Sequence, residues 1–128
     1  MILHGYWRSS AAYRVRIALG LKALPFDQVA HDLRAAAHKS AGYGVTNPQH
    51  FVPALETDDG AVLIQSPAIL EWLEERYPSP PLLPDTADDR AIVRAMAAMI
   101  GCDIHPLNNL RVLSSLKADL HAQRPQID

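Results

Sequence analysis

The sequence has little cysteine and no excess of charge of either sign. Its 128 residues include one cysteine, Cys102, and 12 basic against 14 acidic side chains, for a net charge of -2. One cysteine cannot form an internal disulfide framework or a thiolate zinc cluster. A slightly acidic chain without a basic run is a poor partner for nucleic acid or an anionic membrane surface. The composition argues against these classes and is typical of a globular protein.

Long apolar runs are also absent. None approaches the ~18 residues that a membrane span needs, and the N-terminus lacks the basic segment and apolar core of a signal peptide. We therefore expect a cytoplasmic protein that does not bind membranes. The six histidines are scattered, and the segment from Asp103 to His105 lacks the further ligands that a metal site needs, so we expect no metal.

Charge is unevenly distributed along the chain. The first 26 residues contain Arg8, Arg14, Arg16 and Lys22 and no Asp or Glu. This first strand-loop-helix segment is therefore locally positive inside a slightly acidic chain. We expect an anionic ligand to bind there.

The first 77 residues alternate between short apolar runs and helical patterns. Strands are predicted at residues 1–3, 26–30, 52–56 and 61–64, with an Asp-Gly hairpin signal between the last two. Helices are predicted at residues 11–22, 33–43 and 67–77, with serine caps ahead of the first and last and Gly42 and Gly44 closing the second. The order β-α-β-α-β-β-α predicts an α/β thioredoxin-like domain over residues 1–77.

Four prolines among residues 78–84 predict an extended linker, which we assign to residues 78–85. Residues 86–128 then contain two amphipathic segments. Thr86 and Asp89 form a predicted capping box for the first, and the second follows Pro106 with a leucine stripe, Leu107, Leu110, Leu113, Leu116 and Leu120. Two helices cannot enclose a core between them. We expect the first part of an all-helical domain, whose apolar faces meet the first domain, a second subunit or further chain.

Three short segments carry the residues most suited to chemistry. At the start of the first helix, the helix N-terminus stabilises an anion and Ser9 can donate to a thiolate, which a ligand must supply because no Cys-x-x-Cys is present. A cis bond between Val52 and Pro53 would turn the Val52 backbone toward a peptide ligand. Gln65 and Ser66 precede a helix that can hold a carboxylate. In the simpler interpretation, the serines only cap helices and the bond before Pro53 is trans.

Together these segments resemble the zeta-class glutathione transferases, that is, the maleylacetoacetate isomerases and glutathione-dependent maleylpyruvate isomerases. The matching text is RSSAAYRVRIALGLK (residues 8–22), NPQHFVPAL (47–55), QSPAILEWLEERYP (65–78) and CDIHPLNNLRVL (102–113). The resemblance implies a glutathione-binding thioredoxin-like domain, glutathione as cofactor, a small dianionic cis-enoic acid as substrate and a homodimer. Members of this class are longer than 128 residues, so we expect a chain truncated in its helical domain.

The resemblance also implies roles for individual residues. Ser9 matches the serine that hydrogen-bonds the glutathione sulfur, with Ser10 and Arg8 as further catalytic residues. Ala11 stands where many members carry cysteine. The positions that match glutathione-binding residues are His38, Val52, Pro53 (expected cis), Gln65, Ser66 and His105. Those that match substrate-carboxylate residues are Arg8, Asn109 and Arg111.

The implied reaction needs a stabilised thiolate and cationic groups that clamp carboxylates. Thiolate adds to the cis double bond, the resulting single bond rotates, and elimination gives the trans isomer in the breakdown of aromatic compounds. One alternative is a general glutathione transferase or dehalogenase, and another is a non-catalytic interaction module. A module would not need Ser9, Val52–Pro53 and Gln65–Ser66 together, which favours an enzyme.

Overall fold

The computed structural model describes residues 1–119 and 121. Leu120, the last leucine of the predicted stripe, and residues 122–128 lie outside the described residues. The chain divides into two compact units, the first spanning Met1–Leu82 and the second beginning at Leu83. No helix in the described part of the chain is long and apolar enough to cross a membrane.

Four short strands form one mixed sheet in the first unit: β1 (Ile2–Gly5), β2 (Asp27–Ala30), β3 (Ala54–Glu56) and β4 (Val62–Ile64). Their order is β2-β1-β3-β4, with β1 parallel to β2, β1 antiparallel to β3, and β3 antiparallel to β4. Gly60 makes the predicted hairpin turn at a φ of +85°, a conformation that glycine adopts without steric cost. The thioredoxin-like prediction is confirmed.

The core lies on one face of this sheet, against helices α1 (Ser10–Leu21) and α3 (Ser66–Arg76). Helical spacing on α1 and α3 brings apolar side chains to the strand residues Leu3 and Leu55. The buried cluster consists of Leu3, Val15, Ala18, Leu19, Leu55, Ile69 and Leu73. Because side chains alternate along a strand, His4 and Glu56 belong to the opposite face, where His4 contacts Tyr43 of a third helix, α2 (Ala41–Thr46).

Three local predictions are wrong. β1 continues beyond its predicted end at residue 3, because His4 and Gly5 also pair with β2. The helix expected over residues 33–43 is replaced by a 3-10 turn at Ala37–Lys39 and by α2. The left-handed Ala36, at a φ of +56°, interrupts the helical path, and Ser40 caps α2 afresh. The third wrong prediction is Ser66 as the cap of α3; the observed N-cap is Gln65.

Helices are the only regular elements in the described part of the second unit. Helix α4 (Ala87–Ala98) runs into a π-helical segment (Met99–Ile104) and a 3-10 turn (His105–Asn108), and α5 (Leu110–Ala118) follows. The Thr86 cap is confirmed, since its Oγ1 accepts from the Asp89 N–H at 3.1 Å. Large apolar side chains of α4 and the π segment are exposed: Ile92, Val93, Met96, Met99, Ile100 and Ile104.

Candidate functional site at the start of two helices

Ser9 is the N-cap of α1, with its Oγ accepting from the Ala12 N–H at 3.2 Å. The turn before it is tied back by Arg16, whose guanidinium donates to the carbonyl oxygens of Tyr6 (3.5 Å) and Trp7 (3.2 Å). A cap uses only a lone pair of the serine oxygen, so the Ser9 O–H keeps its capacity to donate. Capping and donation to a bound anion are therefore compatible roles for this one residue.

The residues flanking Ser9 differ in exposure. Ser10, the first residue of α1, is exposed, and Ala11 is half-buried. Arg8 is exposed, and its guanidinium carbon lies 5.6 Å from the ring centroid of Trp7, which is itself 69% exposed. The first turn of α1 holds no acidic residue. Arg8 and the helix N-terminus therefore both favour an anion at this position.

The start of α3 differs from the predicted cap. Gln65, with a φ of +69°, is the N-cap, and Ser66 is the first helical residue. Ser66 is buried, and its Oγ accepts from Arg14 Nη1 at 3.2 Å. The Ser-Pro cap rule fails because Ser66 turns to the arginine of another helix. A left-handed non-glycine residue costs free energy, and such residues cluster at functional sites.

The loop of residues 47–53 carries the third predicted segment. The bond between Val52 and Pro53 is cis, as expected. The Asn47 side chain holds the loop at two points, accepting from the Gln49 N–H at 2.9 Å and donating from Nδ2 to the Phe51 carbonyl oxygen at 2.8 Å. Among the described residues we find no hydrogen-bond partner for the Val52 backbone N–H or C=O.

Two hydrogen bonds bring the three segments together. Arg14 joins α1 to the start of α3 through Ser66, and Gln65 Nε2 donates to Gln49 Oε1 of the loop at 2.7 Å. Sequence reasoning missed the part of Arg14 in the site, although Arg14 follows Ser10 by one helical turn. The outcome is one site built from the N-terminal ends of two helices and from the loop, in which the half-buried Arg14 donates to Ser66.

His38 lies in the 3-10 turn before α2 and is half-buried. Its Nδ1 atom is buried and has no hydrogen-bond partner among the described residues. Burial, followed by the charges of Lys39 and His50, lowers the pKa of His38 from its ordinary value and so favours the neutral ring. In the described part of the chain, no group of His, Cys, Asp or Glu side chains could hold a metal ion.

The remaining predicted site residues belong to the second unit. His105 begins the 3-10 turn, and Asn109 is the N-cap of α5, its Oδ1 accepting from the Arg111 N–H at 3.0 Å. The Arg111 side chain is exposed on α5. Asn109 therefore has a structural role that its sequence pattern did not indicate. Cys102 is a free, exposed cysteine.

Comparisons with known proteins all point to one family. The family model described as the glutathione S-transferase N-terminal domain matches residues 8–76. Maleylpyruvate isomerase of a Ralstonia species is 50% identical over 128 residues, which is 100% of this chain and 60% of that protein. Maleylacetoacetate isomerase of Pseudomonas aeruginosa is 50% identical over 119 residues, which is 91% of this chain and 56% of that protein.

Two solved structures resemble this chain over nearly its whole length. A holo maleylpyruvate isomerase, described as a bacterial glutathione-S-transferase of the zeta class, superposes with a TM-score of 0.95 at 50% identity, and the match covers 99% of this chain and 59% of that protein. Maleylacetoacetate isomerase from Methylobacterium extorquens AM1, solved with malonate and glutathione bound, gives a TM-score of 0.96 at 42% identity, with the same shares covered. The chain thus spans about three fifths of the length of these relatives.

Proposed function

The chain belongs to the glutathione S-transferase N-terminal domain family. On that premise we propose that it functions as a glutathione-dependent cis-trans isomerase of maleylacetoacetate or maleylpyruvate. Relatives at 50% identity carry these two names, and several similar structures are titled with bound glutathione. These names favour isomerisation over a general transferase or dehalogenase and over a non-catalytic interaction module.

The observation that carries the proposal is the meeting of the α1 and α3 N-termini through the bond between Arg14 and Ser66. Glutathione is an anionic tripeptide with a thiol in its middle residue. Two helix N-termini and a guanidinium suit its charged groups, and the unpartnered Val52 N–H and C=O suit its backbone. The residues present therefore fit this cofactor.

We assign the parts of glutathione to residues by the chemistry each residue offers. Gln65 and Ser66 hold the γ-glutamyl amine and carboxylate, with the Arg14 charge behind them. The Val52 backbone, next to Pro53, pairs with the cysteinyl unit. The neutral His38 ring, with its unpartnered Nδ1, receives the glycyl end, and His105 is a further contact from the second unit.

Glutathione held here would supply a thiolate nucleophile for the substrate double bond, and this thiolate would be regenerated when the trans product forms. Ser9 donates its O–H toward the sulfur, and the α1 N-terminus favours the anionic form of the thiol, with Ser10 in the same turn. Arg8 clamps a substrate carboxylate and offsets charge that develops on the substrate. Asn109 and Arg111 are the proposed carboxylate contacts from the second unit.

The substrate is proposed to be a small dianionic cis-enoic acid. Similar structures titled with malonate and with citrate support a binding site for small carboxylates. We also propose a homodimer located in the cytoplasm, as the resemblance and the composition imply.

Isomerisation of both maleyl substrates, followed by absorbance with and without glutathione, tests this proposal. Replacing Ser9 tests donation while the cap is retained. Ser9→Thr keeps both the cap and the O–H, whereas Ser9→Asp keeps the cap but exchanges the donor for a carboxylate that also repels a thiolate. We expect Ser9→Thr to keep most of the activity and Ser9→Asp to lose about 10²-fold in kcat. Isomerisation that proceeds equally well without glutathione would contradict the proposal.

A further inference from the structure

The Phe51 carbonyl oxygen accepts hydrogen bonds from two buried side chains. Tyr43 donates from its hydroxyl at 2.5 Å, and Asn47 donates from Nδ2 at 2.8 Å. Tyr43 is 3% exposed and Asn47 is 1% exposed. Tyr43 lies within α2 and Asn47, four residues later, is the C-cap of that helix, and both side chains reach the same carbonyl oxygen. A buried backbone carbonyl oxygen needs only one hydrogen-bond donor, so the second side-chain donor exceeds this requirement.

We propose that Tyr43 and Asn47 are positioning residues for glutathione, which set the direction of the Val52 N–H by holding the Phe51 carbonyl. This inference rests on the proposed function. The Phe51 C=O and the Val52 N–H belong to one planar trans peptide unit, so they point in opposite directions. When the two donors fix the carbonyl, they also fix the N–H that would pair with the cysteinyl unit.

The Val52 backbone has no other internal hydrogen bond to fix its direction among the described residues. The Asn47 amide is itself held, because its Oδ1 accepts from the Gln49 N–H at 2.9 Å. That contact orients the amide so that Nδ2 faces Phe51. The loop thus depends on α2 for its orientation.

Tyr43 is held against the sheet by a histidine network. The His31 ring centroid lies 4.1 Å from that of Tyr43, and His31 Nε2 lies 2.9 Å from His4 Nδ1. His4 Nε2 in turn lies 2.7 Å from Glu56 Oε1 of β3. These contacts leave the phenol ring little freedom to move away from Phe51.

The protonation states of this network suit a fixed donor. Burial raises the pKa of Tyr43 to about 12, so the hydroxyl keeps its proton at the pH values at which proteins function. Burial and the neighbouring His4 lower the pKa of His31, which favours its neutral ring. Because His4 Nε2 faces the Glu56 carboxylate, it donates to that carboxylate. The contact between His4 Nδ1 and His31 Nε2 then needs one hydrogen, carried by one of these two nitrogens.

Calorimetric titration of glutathione into the 128-residue chain tests the inference. Tyr43→Phe removes only the hydroxyl, whereas Asn47→Asp keeps the Oδ1 acceptor but replaces the Nδ2 donor by a carboxylate oxygen that repels the Phe51 carbonyl oxygen. We expect Tyr43→Phe to raise the Kd for glutathione about three- to tenfold, which corresponds to the loss of one net hydrogen bond. Asn47→Asp should raise the Kd at least as much, because repulsion is added to the lost hydrogen bond. Tyr13→Phe removes the hydroxyl of a tyrosine that is 56% exposed, and it should leave the Kd unchanged.

A merely structural role would lower the melting temperature and leave the Kd of the folded protein unchanged. The melting temperature is therefore measured for every variant, and Tyr43→Phe decides the question if Asn47→Asp, which buries a carboxylate, does not fold. In the isomerisation assay, we expect KM for glutathione to rise while kcat stays within about twofold, since only ground-state positioning is lost. Wild-type Kd values in both folded variants would overturn the inference alone. Failure of the folded wild-type chain to bind glutathione would overturn the proposed function, and the inference with it.

Discussion

Lys22 is the most completely buried charge in the described part of the first unit. Its side chain is 0% exposed, and its Nζ donates to Glu74 Oε2 at 2.8 Å and to the carbonyl oxygens of Tyr77 (2.6 Å) and Pro80 (2.9 Å). All three ammonium hydrogens are therefore used. Glu74 also accepts from the Leu82 N–H at 3.0 Å. Lys22 thus fastens the proline-rich segment after α3 to the end of α1.

Replacing Lys22 by Met should lower the free energy of unfolding by about 3–5 kcal/mol, because the Glu74 carboxylate would stay buried without its cation. Urea denaturation followed by tryptophan fluorescence measures this, since Trp7 and Trp72 both lie in the first unit. The exposed Lys39 provides a control, and Lys39→Met should change stability by less than about 0.5 kcal/mol. A Lys22→Met loss as small as that of the control would mean that the pair contributes little.

Some residue roles could be predicted from the sequence and others could not. The Ser9 cap was predictable because a cap depends only on residues within one turn. The same local rule predicted Ser66 as the cap of α3 and was wrong. The Ser66 hydroxyl instead accepts a hydrogen bond from Arg14, which lies 52 residues away in the sequence. The roles of Tyr43 and Asn47 could not be predicted either, because both donate to the Phe51 carbonyl oxygen and no sequence pattern indicates that contact.

Elements with strong local signals were predicted well. Helix α1 lies within one residue of its predicted span, and the hairpin between β3 and β4 turns at the predicted Gly60. The span of residues 33–43 failed because its alanines favour a helix, whereas the left-handed Ala36 ends that path and Ser40 starts a new one. Gly42 and Gly44 were expected to end a helix, but both lie inside α2.

Gly42 and Gly44 provide a matched pair of substitutions that tests whether His50 packs against α2. A Cβ added at Gly42 meets nothing within 4 Å, whereas one at Gly44 would lie 2.7 Å from Cε1 of His50. Gly42→Ala should stabilise the unit by about 0.5–1 kcal/mol through helix propensity. Gly44→Ala should lose that gain, because the His50 ring must move away from its contact with the His38 carbonyl.

Urea denaturation of the two alanine variants measures the difference between them. Crystallographic or NMR data on Gly44→Ala should show a displaced His50 ring, and Gly42→Ala should leave it in place. Equal stabilisation by both substitutions would mean that His50 does not constrain this turn of α2.

At the scale of the whole molecule, the sequence indicated both the fold class and the family. The thioredoxin-like domain followed from the order of its elements, and the family followed from three short segments that the fold brings together at Arg14, Ser66 and Gln49. The exposed apolar side chains of α4 agree with the expectation that this helix cannot form a core with α5 alone. What covers that face stays a prediction, since composition and periodicity do not identify a partner surface.

The central claim is that the segments around Ser9, Val52 and Ser66 form one glutathione site. Titration of the isotope-labelled chain with glutathione, followed by two-dimensional amide NMR, tests this claim most directly. The account predicts saturable shifts concentrated at the amides of Ser9, Val52 and Ser66, with smaller changes elsewhere. A folded chain whose amide signals do not move at millimolar glutathione, or move only in the second unit, would contradict it.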